Sequence, residues 1–289
     1  METSDLIMEL WLILAILAYM FYALATSIDK YLMNHNYKAT VTSAIRLFFD
    51  GVVLLTVGVI FYNLSIPLSL IGLGFVLGFL YATSVLLYFK SLCLGDAEEF
   101  VPSYQAFSIL FVFIASTIFL GEQPIFMNYL GIGVLIIGVY FVLAGDNFQP
   151  PKMNKFLMFI LMMVALDTIY ALFVKKYVAI YQPINMGIVM YFSAALVLFS
   201  YELFFKHERV PIFVKKNLKI IPASIFGAFG TLSLYGALAV GNATKVYPIA
   251  GIESVFMFIL ATMFLKEKFN YKKLFGILIV FVGIYLVAT

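Results

Sequence analysis

Four ionisable residues sit deep inside apolar runs of this sequence: Arg46, Asp50, Asp167 and Glu253. A charge in hydrocarbon is costly, so each is a functional candidate by default. Arg46 and Asp50 are four residues apart and therefore share one face of a helix. That spacing allows two readings. The pair neutralises itself as a structural ion pair, or Arg46 faces a cavity and meets an anionic substrate group. Asp167 has Met163 and Ala171 one turn away and no basic neighbour there. A carboxyl without a local counter-charge in a low-dielectric site suits proton binding or substrate contact. The competing expectation is a carboxyl hydrogen-bonded across the bundle, for instance to a hydroxyl. Glu253 follows Pro248-Ile-Ala-Gly251, where a helix is expected to distort and free backbone groups.

Weaker candidates surround these four. Gln105 is a polar amide just past Pro102. Tyr22, Thr26, Tyr81, Ser84 and Tyr88 are candidates to line a path, with Tyr104, Tyr170 and Tyr235 from later segments. Aromatics make up 18% of the chain, so packing is the default for any one tyrosine. Lys90, Glu122, Lys175, Glu202 and Glu267 fall near segment ends, where long side chains snorkel or cap.

The surroundings of these groups fix the class of protein. Of 289 residues, 64% are hydrophobic and 11% charged, with a mean hydropathy of +1.06. A soluble domain carries about 25% charged residues, so the solvent for most of this surface is a lipid bilayer. A net charge of +3 gives no footprint for nucleic acid. Cys93 is the single cysteine, and His35 and His207 lie far apart in connectors, so neither a disulfide nor a zinc-type metal cluster is expected. No cofactor motif is found. P-loop, His-Glu-x-x-His, Asp-rich and Gly-x-Ser-x-Gly signatures are absent, which argues against an enzyme and against primary active transport by this chain alone. The first nine residues are acidic rather than basic, so the first apolar run is expected to be a retained spanning helix.

A spanning helix needs about 20 apolar residues. Ten segments pass that ruler. The first five are Leu10–Ile28, Val41–Phe61, Leu70–Leu92, Phe100–Leu120 and Met127–Gly145. The next five are Lys155–Val178, Ile184–Phe205, Lys219–Val240, Val246–Leu265 and Lys272–Ala288. Asn63–Pro67, Gln182–Pro183, Val210–Pro211 and the Pro-rich Asp146–Pro151 punctuate them.

The chain also repeats itself at a shift of about 146 residues. Gly241, Ala243 and Pro248 fall on Gly95, Ala97 and Pro102. After a one-residue slip, Thr262, Phe264, Leu265 and Glu267 fall on Thr117, Phe119, Leu120 and Glu122. Gly276, Gly283, Tyr285 and Val287 then match Gly131, Gly138, Tyr140 and Val142. The expected fold is an all-α integral membrane protein of ten transmembrane helices, built as two inverted five-helix repeats, 1–148 and 149–289. Five is odd, so the second half crosses in the opposite sense. Gly131 and Gly138, like Gly276 and Gly283, lie two turns apart on one face and are expected to serve helix packing, as are Gly74 and Gly78. Glu253 has Phe107 as its duplicate, and Asp167 likewise has no acidic counterpart. Departure from the internal symmetry points to a local task.

Charge gives an orientation. Lys30, Lys38, Lys90, Lys152, Lys155 and the run from Lys206 to Lys219 sit in odd-numbered connectors, with Lys266, Lys268, Lys272 and Lys273. Lys175, Lys176 and Lys245 sit in even ones, and the termini carry none. The positive-inside rule then puts both termini outside.

These motifs resemble the drug/metabolite transporter superfamily, in particular its EamA-type ten-helix members with two EamA repeats. The resemblance rests on Arg46-Leu-Phe, on Ala97 through Pro102, and on Phe119-Leu-Gly-Glu122 with Gly131–Gly138. Phe264-Leu-Lys-Glu267 with Gly276–Gly283 repeats the last of these. It implies a secondary transporter in the cell membrane that moves a small metabolite, amino acid or drug by alternating access, as an exporter. It implies a cavity lined by helices 1–4 and 6–9, with 5 and 10 peripheral; the buried carboxyls, rather than the resemblance, make protons a candidate partner. It also implies cytoplasmic termini, against the charge count. Small single-repeat relatives carry an essential glutamate in helix 1; the segment Leu10–Ile28 has no acidic residue, so that mechanism does not carry over. Two other classes compete: a non-transporting membrane subunit or sensor, and an intramembrane enzyme, for which the candidates are scattered.

Overall fold

The computed structural model describes residues 3–121, 123–143, 153–207, 210–265 and 270–288. The connector Asp146–Pro151, the helix-end carboxylates Glu122 and Glu267, and Lys152, Arg209, Lys266 and Lys268 of the charge tally lie outside the described residues.

Ten spans are formed among the described residues. In the first half they are α1 (Thr3–Asn34), α2 (Ala39–Phe61), α3 (Leu68–Leu92), α4 (Ala97–Phe119) and α5 (Phe126–Leu143). In the second they are α6 (Lys155–Tyr181), α7 (Pro183–Phe205) and α8 (Ile221–Val240), the last preceded by a one-turn helix at Lys215–Leu218. The run Ala243–Leu265, α9, is not one regular helix. A 3₁₀ turn at Tyr247–Ala250 follows its first turn, an α-helix runs Gly251–Leu260, and a π turn ends it at Ala261–Leu265. Pro248 lacks the N–H that a regular helix would use there. The last span is α10 (Tyr271–Ala288).

Local chemistry sets the boundaries. Asn154 caps α6, its side chain accepting from Leu157 N at 2.9 Å. Gln182, at φ 67°, turns α6 directly into α7, whose first residue is Pro183. Glu98 and Glu99 sit in the first turn of α4, where the helix dipole favours negative charge.

The first helix corrects the sequence reading. It does not stop at Ile28 but continues to Asn34 and carries Asp29 and Lys30 inside the bundle, 2% and 6% exposed. Both charges are buried because both are satisfied by other helices. Lys30 Nζ donates to the carbonyls of Leu92 (3.0 Å) and Gly95 (2.8 Å) at the end of α3. Lys175 of α6 does the same in the second half, to Leu238 (2.9 Å) and Gly241 (2.6 Å) at the end of α8. These are orphan carbonyls of a helix C-terminus, where a cation also meets the favourable dipole. Glu202, expected to snorkel or cap near a segment end, is 2% exposed within α7. Replacing Lys30 or Lys175 by methionine is expected to cost about 1.5–3 kcal/mol each, the range for hydrogen bonds to a charged group. Thermal unfolding in detergent reads this, and two variants that melt like the parent would show the ties to be dispensable.

The halves interleave rather than sit side by side. In the bundle α1 packs on α8 and α9, α2 and α3 on α7, α4 on α6 and α9, and α5 on α10. The α5–α10 seam brings backbone against backbone. A Cβ on Gly138 would lie 2.6 Å from Val280 N, and one on Gly283 would lie 2.7 Å from Leu135 N and 2.9 Å from Gly131 O. Gly276 would meet Val142 N at 2.9 Å. A Cβ on Gly78 would lie as close to α7, 2.9 Å from Ala194 N. Close approach of this kind is what lets helices associate in lipid, where no hydrophobic force drives them together.

Two apolar clusters close the bundle above and below its middle. One joins Ala15, Leu54, Leu70, Val178, Ile184 and Ala237 near the end where α1 begins. The other joins Met33, Leu92, Ala97, Phe156, Ile160 and Ile220 near the end where α1 stops. At that second end Tyr37 donates to Lys216 O at 2.9 Å and lies under the Lys216 ammonium. Partial burial, and then the neighbouring Tyr31, push the Tyr37 phenol up, so it stays a donor.

A polar cavity between the repeats

Between these clusters lies a cavity of about 200 Å³, walled by α1–α4 and α6–α9. Its polar groups come from one-face stripes. In α1 the stripe is Tyr19, Tyr22, Thr26 and Asp29; in α3 it is Tyr81, Ser84 and Tyr88. Spacings of three and four residues put each set on one side of its helix. All thirteen residues singled out for a pathway line this one space: Tyr22 and Thr26 from α1, Arg46 and Asp50 from α2, Tyr81, Ser84 and Tyr88 from α3, Tyr104 and Gln105 from α4, Asp167 and Tyr170 from α6, Tyr235 from α8 and Glu253 from α9.

Arg46 is held on both sides. Its Nη1 pairs with Asp50 one turn on, and its Nε donates to Asp29 Oδ1 at 3.3 Å. Tyr88 donates to the other Asp29 oxygen at 3.2 Å. The third guanidinium nitrogen lies against Gly227 of α8, where any Cβ would occupy its place, and Ser224 donates to the Arg46 carbonyl at 3.2 Å. One positive charge thus faces two carboxylates, all three side chains buried. Gly230, one turn along α8, similarly makes room for the Tyr22 ring.

Asp167 and Glu253 line the same cavity with no ion pair among the described residues. Tyr104 donates to Asp167 Oδ2 at 2.8 Å and the Ser84 hydroxyl stands near the same carboxyl, while Oδ1 is buried and makes no hydrogen bond within 3.5 Å among the described residues. Glu253, 5% exposed, accepts from the Gln105 amide and from Thr26 Oγ1 at 3.5 Å. Gln105 and Thr26 belong to the first repeat and Glu253 to the second, so this contact crosses the internal symmetry.

Tyrosines complete the walls. Tyr81 stacks on Tyr170 with centroids 5.1 Å apart and meets Tyr191 edge-on at 5.8 Å. The hydroxyls of Tyr170 and Tyr235 bond to each other. Thr231 joins Tyr22, at 2.9 Å, to Tyr191. Asp29, Gly227, Thr231 and Tyr191 were missed by sequence reasoning. For Asp29 a signal existed: it continues the Tyr22–Thr26 stripe by three residues. For Gly227 there was none, because its meaning depends on Arg46 in another helix. Among the described residues no group of three or more His, Cys, Asp or Glu side chains is placed to hold a metal ion.

A duplicated ten-helix bundle that encloses a polar cavity between inverted halves has the architecture of a polytopic membrane transporter. The model of the EamA-like transporter family matches residues 9–144 and again 154–289, and the chain belongs to that family. A solved structure described as "Crystal structure of protein" is similar over 95% of this chain and 93% of that chain, at 16% identity and a TM-score of 0.65. That likeness shows a shared fold. No curated protein matches.

Proposed function

We propose that this chain is a secondary carrier that exports a small metabolite across the cell membrane by alternating access. In this reading the two repeats, 1–148 and 149–289, rock about the cavity, and Asp167 and Glu253 bind the substrate or the coupling proton. The observation that carries it is a cavity shared by both inverted repeats, with carboxyl groups that break the internal symmetry. Contacts such as Tyr22–Thr231 and Gln105–Glu253 join the halves across that space and are the ones a rocking motion exchanges.

The test is efflux from proteoliposomes loaded with a mixture of amino acids and small metabolites, with and without a pH gradient, read by mass spectrometry. Selective loss of one compound class is expected. Asp167→Asn and Glu253→Gln are each expected to lower its rate by about tenfold or more, the cost of losing one charge-assisted contact. Dependence on the gradient would establish proton coupling. Uniform retention of every compound would refute a carrier acting alone. Flux that survives both substitutions would leave a carrier but remove these two carboxyls from its path.

A further inference from the structure

We infer that the cavity takes an organic ammonium ion, a small amine that carries no carboxylate of its own. This rests on the carrier reading for why a ligand enters, but the charge of the site is independent of it.

Four carboxyl groups line the cavity (Asp29, Asp50, Asp167 and Glu253) against one guanidinium. That guanidinium is spent. Arg46 gives Nη1 to Asp50 and Nε to Asp29, and its third nitrogen is against the α8 backbone at Gly227. No lysine is among the lining residues; Lys30 and Lys175 point their ammonium groups at backbone carbonyls instead. A ligand carboxylate would therefore enter a low-dielectric space whose one guanidinium already faces two carboxylates, with no second cation among the lining residues. A charge buried there without a partner of opposite sign is costly. An amino acid in its zwitterionic form is disfavoured by this, whatever its side chain.

An ammonium ion meets the opposite. The buried Asp167 Oδ1 makes no hydrogen bond within 3.5 Å among the described residues, although the Ser84 hydroxyl stands near the carboxyl, and an N–H donor from a ligand would satisfy it. Glu253 offers a second carboxyl held by neutral donors only, Gln105 and Thr26. The same space is lined by the packed rings of Tyr81, Tyr170 and Tyr191, and by Tyr104 and Tyr22. Aromatic faces attract a cation and accommodate its hydrocarbon portion together. A bare metal ion would need a set of oxygen ligands in place of its hydration shell, and the described residues hold no such cluster. At about 200 Å³ the space suits a monoamine or a short diamine.

The test compares amines with the amino acids that yield them on losing carbon dioxide. Purified protein in nanodiscs is titrated with 2-phenylethylamine against L-phenylalanine, and with 1,5-diaminopentane against L-lysine, by calorimetry. The same four compounds are run in proteoliposome counterflow. At least one amine is expected to bind about tenfold or more tighter than its amino acid, and Asp167→Asn or Glu253→Gln to remove that margin. An amino acid that binds as well as its amine overturns the inference, as does failure of both amines to bind. Amine binding that both substitutions leave unchanged also overturns it. Amine binding without counterflow refutes the carrier and leaves the ammonium site standing. Counterflow of the amino acids without amine binding keeps the carrier and overturns the ammonium site. The wild-type comparison needs no variant to fold.

Discussion

Arg46→Met is expected to destabilise the protein by about 3–5 kcal/mol, the cost of breaking a buried ion pair from one side. The reason is arithmetic of charge rather than lost packing. Methionine fills much of the same volume, yet it leaves Asp29 and Asp50 buried together with no counter-charge. Tyr88 relieves only one oxygen of Asp29. If that account holds, the triple variant Arg46→Met, Asp29→Asn, Asp50→Asn should regain most of the loss, because the charges leave together. Gly227→Leu should behave like Arg46→Met, since its side chain takes the guanidinium's place. Thermal unfolding of all three in one detergent decides. A mild Arg46→Met, or a triple variant no better than the single one, would mean that the cluster is not held by its electrostatics.

The second large effect belongs to the α5–α10 seam. Gly138→Leu is expected to separate the two helices and cost more than the ~1–3 kcal/mol typical of an overpacked core. Its first added carbon already meets Val280 N at 2.6 Å and Gly276 O at 3.0 Å. Those are main-chain atoms and cannot swing aside. Gly133→Leu, on the same helix, meets nothing within 4 Å of its Cβ and is the matched control. It should be neutral or slightly stabilising, because leucine favours a helix over glycine by up to ~1 kcal/mol. Gly138→Ala and Gly276→Ala face each other and should not add when combined, since one displacement of the helices serves both. Melting temperatures that rank Gly138→Leu with Gly133→Leu would show that the seam adapts freely.

Most of the fold was legible because it is written twice and in long apolar runs. Membrane length sets segment length, and the repeat at about 146 residues fixes where the second half begins again. The family model likewise matches twice, over 9–144 and 154–289. What local sequence could not supply were partners on distant helices. Asp29 and Lys30 read as a connector because a pair of adjacent charges usually ends a membrane segment. They are buried instead because Arg46 and the α3 carbonyls receive them. The Arg46–Asp50 pairing was readable, being one turn apart on one helix. Glu253 and Gln105 are 148 residues apart in sequence, and no rule of spacing joins them. Tyrosines were the hardest to sort. With so many in the chain, only the folded bundle separates Tyr191 inside the cavity from Tyr285, 65% exposed at the surface.

The matched lysines show which part of the molecule is common to both halves. Lys30 reaches carbonyls 62 and 65 residues ahead, and Lys175 reaches carbonyls 63 and 66 ahead. Each half thus ties its first helix to the end of its third by the same device, one lysine on two carbonyls. Asp167, Glu253 and the Arg46 cluster occur once each, so they lie outside what the copies share. The five-helix unit carries its own tie between first and third helices. Specialisation of the interior belongs to the doubled chain, where two copies are free to diverge.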